Sequence, residues 1–296
     1  MVTTKNFLQY LKERFPLQQF ALLTIIFALV STLSVQTYLG QIDYASIVYS
    51  CLALFLFLFR LRLFDEFKDY KHDKEYYPDR PIPRGLMKLT DLKKIILVVL
   101  FLEVIISFTY YPGSTLIFVI AVLYSLLMFK EFFISDWLKE HFTTYIVSHE
   151  ILLFPLFFYI FSLSGFEINN FYTPHFWWLF LFLGGQLFLL EVTRKFRSED
   201  TEIASRDTYT AQYGIYGASV LVFLLSIAII FSFIKLGVTQ NYIFYILALW
   251  LILITTVGLF IKKPRATKAK IVFGASILFS MGSDILLIIH LLLNHG

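Results

Sequence analysis

The sequence from Tyr44 to Leu86 reads YASIVYSCLALFLFLFRLRLFDEFKDYKHDKEYYPDRPIPRGL. It joins an apolar stretch, residues 44–64, to a polar segment that begins at Asp65 and ends in a basic, proline-rich turn. A helix of about 20 apolar residues is long enough to cross the hydrocarbon core of a bilayer. The stretch therefore predicts a membrane-spanning helix that carries a charged segment to the membrane surface.

The whole chain has the composition of an integral membrane protein. Of its 296 residues, 58% are hydrophobic and 16% are charged, and the mean hydropathy is +0.73. Soluble domains average roughly 45–50% apolar and about 25% charged residues. Aromatic residues make up 19% of the chain, which indicates either an interior lined with rings or lipid-facing phenylalanine. The single Cys51 excludes an intramolecular disulfide, and no basic patch suits nucleic acid.

The apolar segments predict an all-α, polytopic membrane protein with nine transmembrane helices in a single bundle, formed by one domain over residues 1–296. The predicted spans are Gln18–Leu39, Tyr44–Phe64, Lys94–Tyr111, Thr115–Phe133, Thr143–Gly165, Phe176–Thr193, Tyr216–Leu236, Tyr242–Ile261 and Ile271–Leu293. Before them, Met1–Lys12 is amphipathic and is predicted to be a short interfacial helix. Its apolar residues Phe7, Leu8, Tyr10 and Leu11 would then face the lipid headgroups.

The basic residues predict how the chain is oriented. With a cytoplasmic N-terminus and nine spans, every Lys and Arg except Lys235 lies in the N-terminal segment, in a cytoplasmic connection or at its flanks. Cytoplasmic loops of membrane proteins carry an excess of Lys and Arg. The pattern therefore predicts a cytoplasmic N-terminus, an external C-terminus, and polar loops after the second and sixth spans on the cytoplasmic side.

Three aspartates, Asp65, Asp69 and Asp73, follow one another at four-residue spacing after the second span. This spacing places the carboxylates near one helix face, where like charges repel unless a cation binds. Oxygen ligands suit Mg²⁺, which commonly binds together with phosphate, and the guanidinium groups of Arg80 and Arg84 match phosphate oxygens. The pattern predicts a Mg²⁺ site that holds a diphosphate, and the alternative is a solvated acidic surface with weak ion pairs.

A second polar group lies at the end of the sixth span. Glu191 is followed at i+3 and i+4 by Arg194 and Lys195, which share its helix face. In the functional interpretation Glu191 is a metal ligand, and the two cations bind phosphate oxygens. In the alternative, the three residues form a helix-end ion pair that anchors the span at the membrane surface.

Further polar residues are weaker candidates. Lys68, Tyr124 and Lys130 lie at the same predicted ends of spans and are candidates for diphosphate contacts, although Lys130 is also placed to reach lipid headgroups. Polar or ionisable residues inside the predicted spans are either functional or contacts between helices. They are Glu103, His149, Glu150, Gln186, Asp284 and His290.

Taken together, these features resemble the UbiA superfamily of intramembrane prenyltransferases, which includes terpene cyclases. The resemblance covers essentially the whole chain. It rests on the nine spans, the orientation, the aspartate motif with its continuation RPIPRG at residues 80–85, and the polar segment that ends in TYTAQYG at residues 208–214.

The first family motif, Asn-Asp-x-x-Asp-x-x-x-Asp, is matched by Asp65, Asp69 and Asp73, with one extra residue between the first two aspartates. Phe64 stands at the position of the asparagine. The second family motif is usually another aspartate cluster, and here only Glu191 matches an acid of it. The basic pair after Glu191 stands where further acids are usual.

The resemblance implies a central cavity capped by the two cytoplasmic loops, in which a prenyl diphosphate is bound through Mg²⁺. Asp65, Asp69, Asp73 and Glu191 would be the catalytic and metal-binding residues. The implied reaction is ionisation of the diphosphate and transfer of the prenyl group to a lipophilic acceptor, aromatic or lipid. Cyclisation of the same carbocation is the enzymatic alternative, and a transporter or lipid-binding bundle is the non-enzymatic one. Membrane lipids are expected around the protein, with no nucleic acid and no obligate protein partner.

Overall fold

The computed structural model describes residues 4–202 and 208–294. Within these ranges the regular secondary structure is helical, without a β-strand, which confirms the all-α prediction. The α-helices are α1 (Thr4–Arg14), α2 (Leu17–Leu39), α3 (Tyr44–Lys68), α4 (Tyr70–Tyr76), α5 (Leu89–Thr109), α6 (Thr115–Phe129), α7 (Ser135–Glu140), α8 (Phe142–Glu150), α9 (Leu153–Ser162), α10 (Pro174–Arg194), α11 (Tyr209–Lys235), α12 (Gln240–Lys262) and α13 (Ala266–Asn294).

The polytopic membrane architecture is confirmed, and the predicted number of spans is approximate. In the described part of the chain, eight helical segments are long and apolar enough to cross a membrane. The predicted span Lys94–Tyr111 is not among them. It corresponds to α5, which has 21 residues but contains Lys93, Lys94 and Glu103 within its apolar stretch.

The predicted fourth span is shorter than expected. We predicted that it extends to Phe133, whereas α6 ends at Phe129. The chain leaves the helix there because Glu131, Phe132 and Phe133 all have positive φ angles, between 47° and 61°. L-residues adopt such angles at a cost, so this turn is a strained end to the helix.

The predicted fifth span is interrupted. It consists of α8 and α9, separated by a turn at Ile151 and Leu152. Pro155 explains the interruption because proline has no N–H to donate to the carbonyl group four residues earlier, which belongs to Ile151, and its ring clashes with that carbonyl. The Phe154 N–H donates to the Ile151 oxygen instead, at 3.1 Å.

The chain forms two compact units. Unit 1 comprises Met1–Thr32, Gln41–His141 and Val147–Phe166, and unit 2 comprises Leu33–Gly40, Phe142–Ile146 and Glu167–Gly296. In unit 1, α3 packs against α5, and α6 packs against α9. In unit 2, the four helices α10–α13 form the neighbouring pairs α10/α11, α11/α12, α12/α13 and α10/α13.

The N-terminal helix α1 belongs to the core of unit 1. Its Tyr10 and Leu11 are buried in a hydrophobic cluster with Phe15 and Leu63. The prediction that Tyr10 and Leu11 face lipid headgroups is therefore wrong, because protein covers these side chains. Leu8, in contrast, is exposed.

A buried ion pair joins α3 and α5 of unit 1. Arg60 of α3 is 0% exposed and donates from Nε to Glu103 Oε2 of α5 at 2.8 Å and from Nη1 to Ser125 Oγ of α6 at 2.7 Å. The rings of Phe57 and Phe64 lie 4.5 and 5.3 Å from the guanidinium carbon. Of the two interpretations for Glu103, the structure supports the contact between helices, since its charge is compensated by Arg60.

Unit 2 contains neutral polar contacts between α10 and α13. Gln186 Nε2 donates to Ser283 Oγ at 3.0 Å, and the hydroxyl groups of Thr193 and Ser276 lie 2.7 Å apart. All four residues are buried. Hydrogen bonds of this kind hold transmembrane helices together in the absence of a strong hydrophobic driving force.

Replacing Glu103 by Leu should destabilise the protein more than replacing Arg60 by Leu. Without Glu103, the Arg60 guanidinium stays charged because arginine does not lose its proton in proteins, and we expect a loss of about 3–5 kcal/mol. Without Arg60, the Glu103 carboxyl group can take up a proton and become neutral, so the loss is smaller. The free energy of unfolding, measured by SDS titration in mixed micelles, gives both values.

The double variant Arg60→Leu/Glu103→Leu is the control, because it removes both charges at once. It should recover most of the stability lost in Glu103→Leu. A larger loss for Arg60→Leu than for Glu103→Leu would contradict this account of the pair.

Candidate functional site

The aspartate motif of unit 1 lies on nearly continuous helical backbone. The Asp69 N–H donates to the Asp65 carbonyl oxygen at 2.8 Å, and the Asp73 N–H donates to the Asp69 carbonyl oxygen at 2.7 Å. Helix α3 therefore passes into α4 with a change of backbone angles at Asp69 alone (φ −90°, ψ 3°). The three aspartates lie one turn apart, which is the arrangement that their spacing predicts.

The first two aspartates differ in their partners. Asp65 Oδ2 lies 3.3 Å from Arg62 Nη1, and Asp65 Oδ1 lies 3.9 Å from Lys68 Nζ. Among the described residues, none forms an ion pair or a hydrogen bond with the Asp69 carboxylate. Burial, together with the charges of the Asp65 and Asp73 carboxylates, raises the pKa of Asp69 to about 6, while Lys68 opposes the shift. Asp69 is thus the least compensated carboxylate of this motif.

Asp73 is held by arginines. It is 2% exposed, and its Oδ1 accepts a short hydrogen bond from Arg80 Nη1. Its Oδ2 lies 3.4 Å from Nη2 of Arg14, which belongs to α1. The Arg80 guanidinium also lies over the ring of Tyr77, 3.7 Å from its centroid. Both carboxylate oxygens of Asp73 are therefore occupied by guanidinium groups.

The second arginine of the predicted diphosphate site, Arg84, is paired with α1. Its Nη1 and Nη2 donate to the two carboxylate oxygens of Glu13 at 2.8 and 2.7 Å, and Nη1 also donates to the Asp79 carbonyl oxygen. The hydrogen bond from Arg84 is the main cause that lowers the pKa of Glu13 to about 2. Gly85 follows with φ +81°, which lets the chain turn back so that the Leu86 N–H reaches the Pro81 carbonyl oxygen at 2.9 Å.

The sequence did not predict three residues of this site, Arg14, Arg62 and Glu66. Glu66 is 1% exposed, and its Oε1 accepts hydrogen bonds from Arg14 Nε at 2.7 Å and from Arg62 Nη2 at 2.8 Å. The four-residue spacing of Arg62 and Glu66 is a signal that the sequence contains. No local pattern reveals Arg14, because 52 positions separate it from Glu66.

Lys68 and Tyr124, two of the weaker candidates, contact the adjacent residues His149 and Ser148 in unit 1. Lys68 Nζ lies 3.4 Å from His149 Nε2, and Tyr124 Oη donates to the Ser148 carbonyl oxygen at 2.7 Å. The ring of Phe132 lies near both the Tyr124 and the His149 ring, with centroid distances of 5.6 and 6.2 Å. The structure therefore brings Lys68 and Tyr124 to one region of unit 1.

Lys130, the third weaker candidate, caps the end of α6. Its N–H donates to the carbonyl oxygens of Leu126 and Leu127, both at 3.1 Å, and its Nζ lies 5.3 Å from the ring centroid of Phe129. The Phe129 ring packs on Phe64 at the end of α3. The role of Lys130 as a diphosphate contact stays a prediction.

The polar group of unit 2 is a compact ion-pair cluster at the end of α10. Glu191 Oε2 accepts hydrogen bonds from Arg194 Nε and Nη2 at 3.1 and 2.6 Å, and Glu191 Oε1 lies 3.0 Å from Lys195 Nζ. The ring of Tyr209 lies 5.9 Å from Lys195 Nζ. The i+3 and i+4 contacts occur as the spacing predicts, and the metal-ligand role of Glu191 stays a prediction.

The described residues do not form a cage of ligands for a metal. Among residues 4–202 and 208–294, no three His, Cys, Asp or Glu side chains are grouped closely enough to hold one ion. Mg²⁺ does not require such a cage, since proteins commonly bind it through one or two carboxylates while substrate phosphates and water supply the other ligands. Asp65 and Asp69 provide oxygen donors of that kind.

These features define a class of protein: a polytopic helical membrane protein with acidic and basic side chains at the ends of two of its spans. The family follows from the sequence. Residues 21–281 match the UbiA prenyltransferase family, and the chain belongs to it. The resemblance drawn from the aspartate motif is thereby confirmed.

Two solved structures share the fold. One comes from work on digeranylgeranylglyceryl phosphate synthase in membranes, with a TM-score of 0.65 and 20% identity over 97% of this chain and 99% of that one. The other is the apo structure of a UbiA homologue from Aeropyrum pernix K1, with a TM-score of 0.66 and 12% identity over 88% of this chain and 96% of that one. At these identities the similarity demonstrates the fold alone. The chain matches no curated protein sequence.

Replacing Gly85 by Ala should destabilise the arginine-containing turn. A Cβ atom at Gly85 meets nothing within 4 Å, so the expected cost comes from the positive φ alone. For an L-residue in this conformation it is about 1–2 kcal/mol. The free energy of unfolding in detergent measures it.

Gly258→Ala is the matched control. Gly258 lies in α12, and a Cβ atom there also meets nothing within 4 Å. Since helical Gly costs roughly 0.5–1 kcal/mol relative to Ala, this variant should be more stable than the wild type. Equal effects of the two substitutions would contradict the role of the positive φ at Gly85.

Proposed function

We propose that this protein ionises an isoprenyl diphosphate with the help of Mg²⁺ and transfers the prenyl group to a lipophilic acceptor within the membrane. The observation that carries the proposal is the aspartate motif of Asp65, Asp69 and Asp73 at the end of a membrane span, in a chain of the UbiA prenyltransferase family. One structural relative comes from work on digeranylgeranylglyceryl phosphate synthase in membranes, which supports a lipid acceptor as an alternative to an aromatic one.

In this proposal the carboxylates bind the metal. Asp69 lacks a cationic partner of its own, and Asp65 is only partly neutralised by Arg62 and Lys68. These two residues fit Mg²⁺ best, and Glu191 is the candidate ligand of unit 2. When bound, Mg²⁺ would supply positive charge that stabilises the diphosphate as a leaving group.

Cationic side chains would bind the diphosphate oxygens. Guanidinium and ammonium groups placed where negative charge develops stabilise the leaving group without reorganising during the reaction. The candidates in unit 1 are Lys68, Arg80, Arg84 and Lys130, together with the Tyr124 hydroxyl group, and those in unit 2 are Arg194 and Lys195.

The chemical step is heterolytic. The bond between the allylic carbon and the diphosphate oxygen breaks, and the electron pair stays with the diphosphate. An electron pair of the acceptor then forms the new bond to the allylic carbon, and the acceptor loses a proton. Aromatic faces stabilise the intermediate carbocation, and the rings of Tyr124 and Phe132 lie beside the Lys68–His149 contact.

We also propose the orientation predicted from the basic residues, in which both motifs lie on the cytoplasmic side.

Replacing Asp69 by Asn should abolish most of the Mg²⁺-dependent release of diphosphate. The amide keeps the shape of the side chain and removes the charge that binds the cation, so we expect a loss on the order of 100-fold or more. The measurement is a coupled assay for diphosphate with purified protein in detergent and prenyl diphosphates of several lengths.

Asp79→Asn is the matched control, because Asp79 lies in the same segment but is exposed. This variant should keep the wild-type rate. Undiminished diphosphate release by Asp69→Asn would refute the assignment of Asp69 as a metal ligand. A wild-type protein without any release would favour a lipid-binding or transport function.

The requirement for an acceptor separates transfer from cyclisation. We expect the prenyl diphosphate to remain intact until an aromatic or lipid acceptor is added, because the acceptor supplies the electron pair for the new bond. The products with and without acceptor can be separated by chromatography and identified by mass spectrometry. A hydrocarbon or terpene alcohol formed without acceptor would instead identify the protein as a terpene cyclase.

A further inference from the structure

A continuous series of ion pairs connects the aspartate motif of unit 1 to the N-terminal helix α1. It runs from Asp65 through Arg62, Glu66, Arg14 and Asp73 to Arg80. Acids and arginines alternate along it, so each charge has an opposite charge on at least one side. The series includes the first and third aspartates of the motif and leaves out the second.

The centre of this series is buried. Glu66 is 1% exposed, and one of its oxygens, Oε1, binds Arg14 and Arg62 at 2.7 and 2.8 Å. Removal of either partner from a buried ion pair leaves an uncompensated charge. Glu66 therefore fixes the side chain of Arg14, although Arg14 comes from a helix 52 positions earlier in the chain.

Arg14 in turn reaches Asp73. Its Nη2 lies 3.4 Å from Asp73 Oδ2, while Arg80 binds the other oxygen of the same carboxylate. Asp73 is almost fully buried. A metal ion at Asp73 would have to displace at least one guanidinium group from this buried carboxylate and compete with its positive charge.

Asp69, unlike Asp73, has no arginine bound to its carboxylate within the described part of the chain. It lies one turn before Asp73 on the same backbone, and it is outside the ion-pair series. The series thus divides the aspartates of the motif by their surroundings: Asp69 is open to a cation, and Asp73 is bound to two arginines.

We propose that Asp73 is a positioning residue that orients Arg80 for the diphosphate rather than a metal ligand, and that Arg14 of α1 is a second positioning residue, which holds Asp73 through Glu66. The inference rests on the proposed function, because it assigns the roles of residues at that site. It also makes the N-terminal helix a part of the site.

The first test measures metal binding directly. Mn²⁺ is titrated into purified protein in detergent, without substrate, and free Mn²⁺ is followed by electron paramagnetic resonance. We expect Asp69→Asn to raise the Kd at least about tenfold and Asp73→Asn to change it less than about twofold. An equal loss of affinity in the two variants would overturn the inference.

Arg80→Gln provides a second variant for this test in case Asp73→Asn misfolds. Arg80 is about one third exposed, so its substitution is less disruptive. It should raise the KM for prenyl diphosphate and leave the Kd for Mn²⁺ unchanged within about twofold. Loss of Mn²⁺ binding in Arg80→Gln would also overturn the proposed division of roles.

The second test concerns Arg14. We expect Arg14→Gln to raise the KM for prenyl diphosphate about tenfold, to leave kcat within about twofold, and to be partly rescued by Arg14→Lys. Lys12→Gln removes the same charge from an exposed position of α1 and should have no effect. The double variant Arg14→Gln/Asp73→Asn should be no worse than Asp73→Asn alone, since both substitutions disrupt one series. Additive effects, or an unchanged KM in Arg14→Gln, would overturn the role of Arg14.

The outcomes also separate this inference from the proposed function. If the wild type releases diphosphate with Mg²⁺ and Asp73→Asn loses Mn²⁺ affinity like Asp69→Asn, the proposed function stands and the inference fails. If the wild type neither binds Mn²⁺ nor releases diphosphate, both fail.

Discussion

A charge in or near the hydrocarbon region is stabilised by an opposite charge, and this electrostatic requirement explains how Arg60, Glu103 and Glu191 are arranged. Water is absent there, so an uncompensated charge is costly. In unit 1, Arg60 is wholly buried and is compensated by Glu103 and by the rings of Phe57 and Phe64. In unit 2, Glu191 is compensated within one helical turn by the two cations that follow it.

The same requirement distinguishes Asp69 from the acids around it. Around the end of α3, the acids Asp65, Glu66 and Asp73 all have arginine partners. Asp69 lies between them without one, and its pKa is raised. The neighbouring carboxylates are compensated and Asp69 is not, so Asp69 remains available for an external cation. The site is therefore prepared by the contacts of the surrounding residues as much as by Asp69 itself.

Local spacing explains what the sequence predicted well. The aspartate motif and the Glu191 cluster depend on contacts three or four residues apart, which a helix dictates. Spans were predicted from apolar length, and Pro155 was a visible reason for the break in the fifth span. The strained turn at residues 131–133 has no such signal, since none of its residues is glycine. Arg14 was missed because its partner Glu66 lies 52 positions away.

The ambiguous span α5 shows why a local window is insufficient for this fold. Glu103 lowers the apolarity of α5, and Arg60 does the same for α3, 43 positions earlier. Each residue alone argues against a membrane span, because a lone charge is expensive there. Together they form one buried ion pair that joins two neighbouring helices. The cost of each charge is thus a property of the pair, and only the packing of α3 against α5 reveals it.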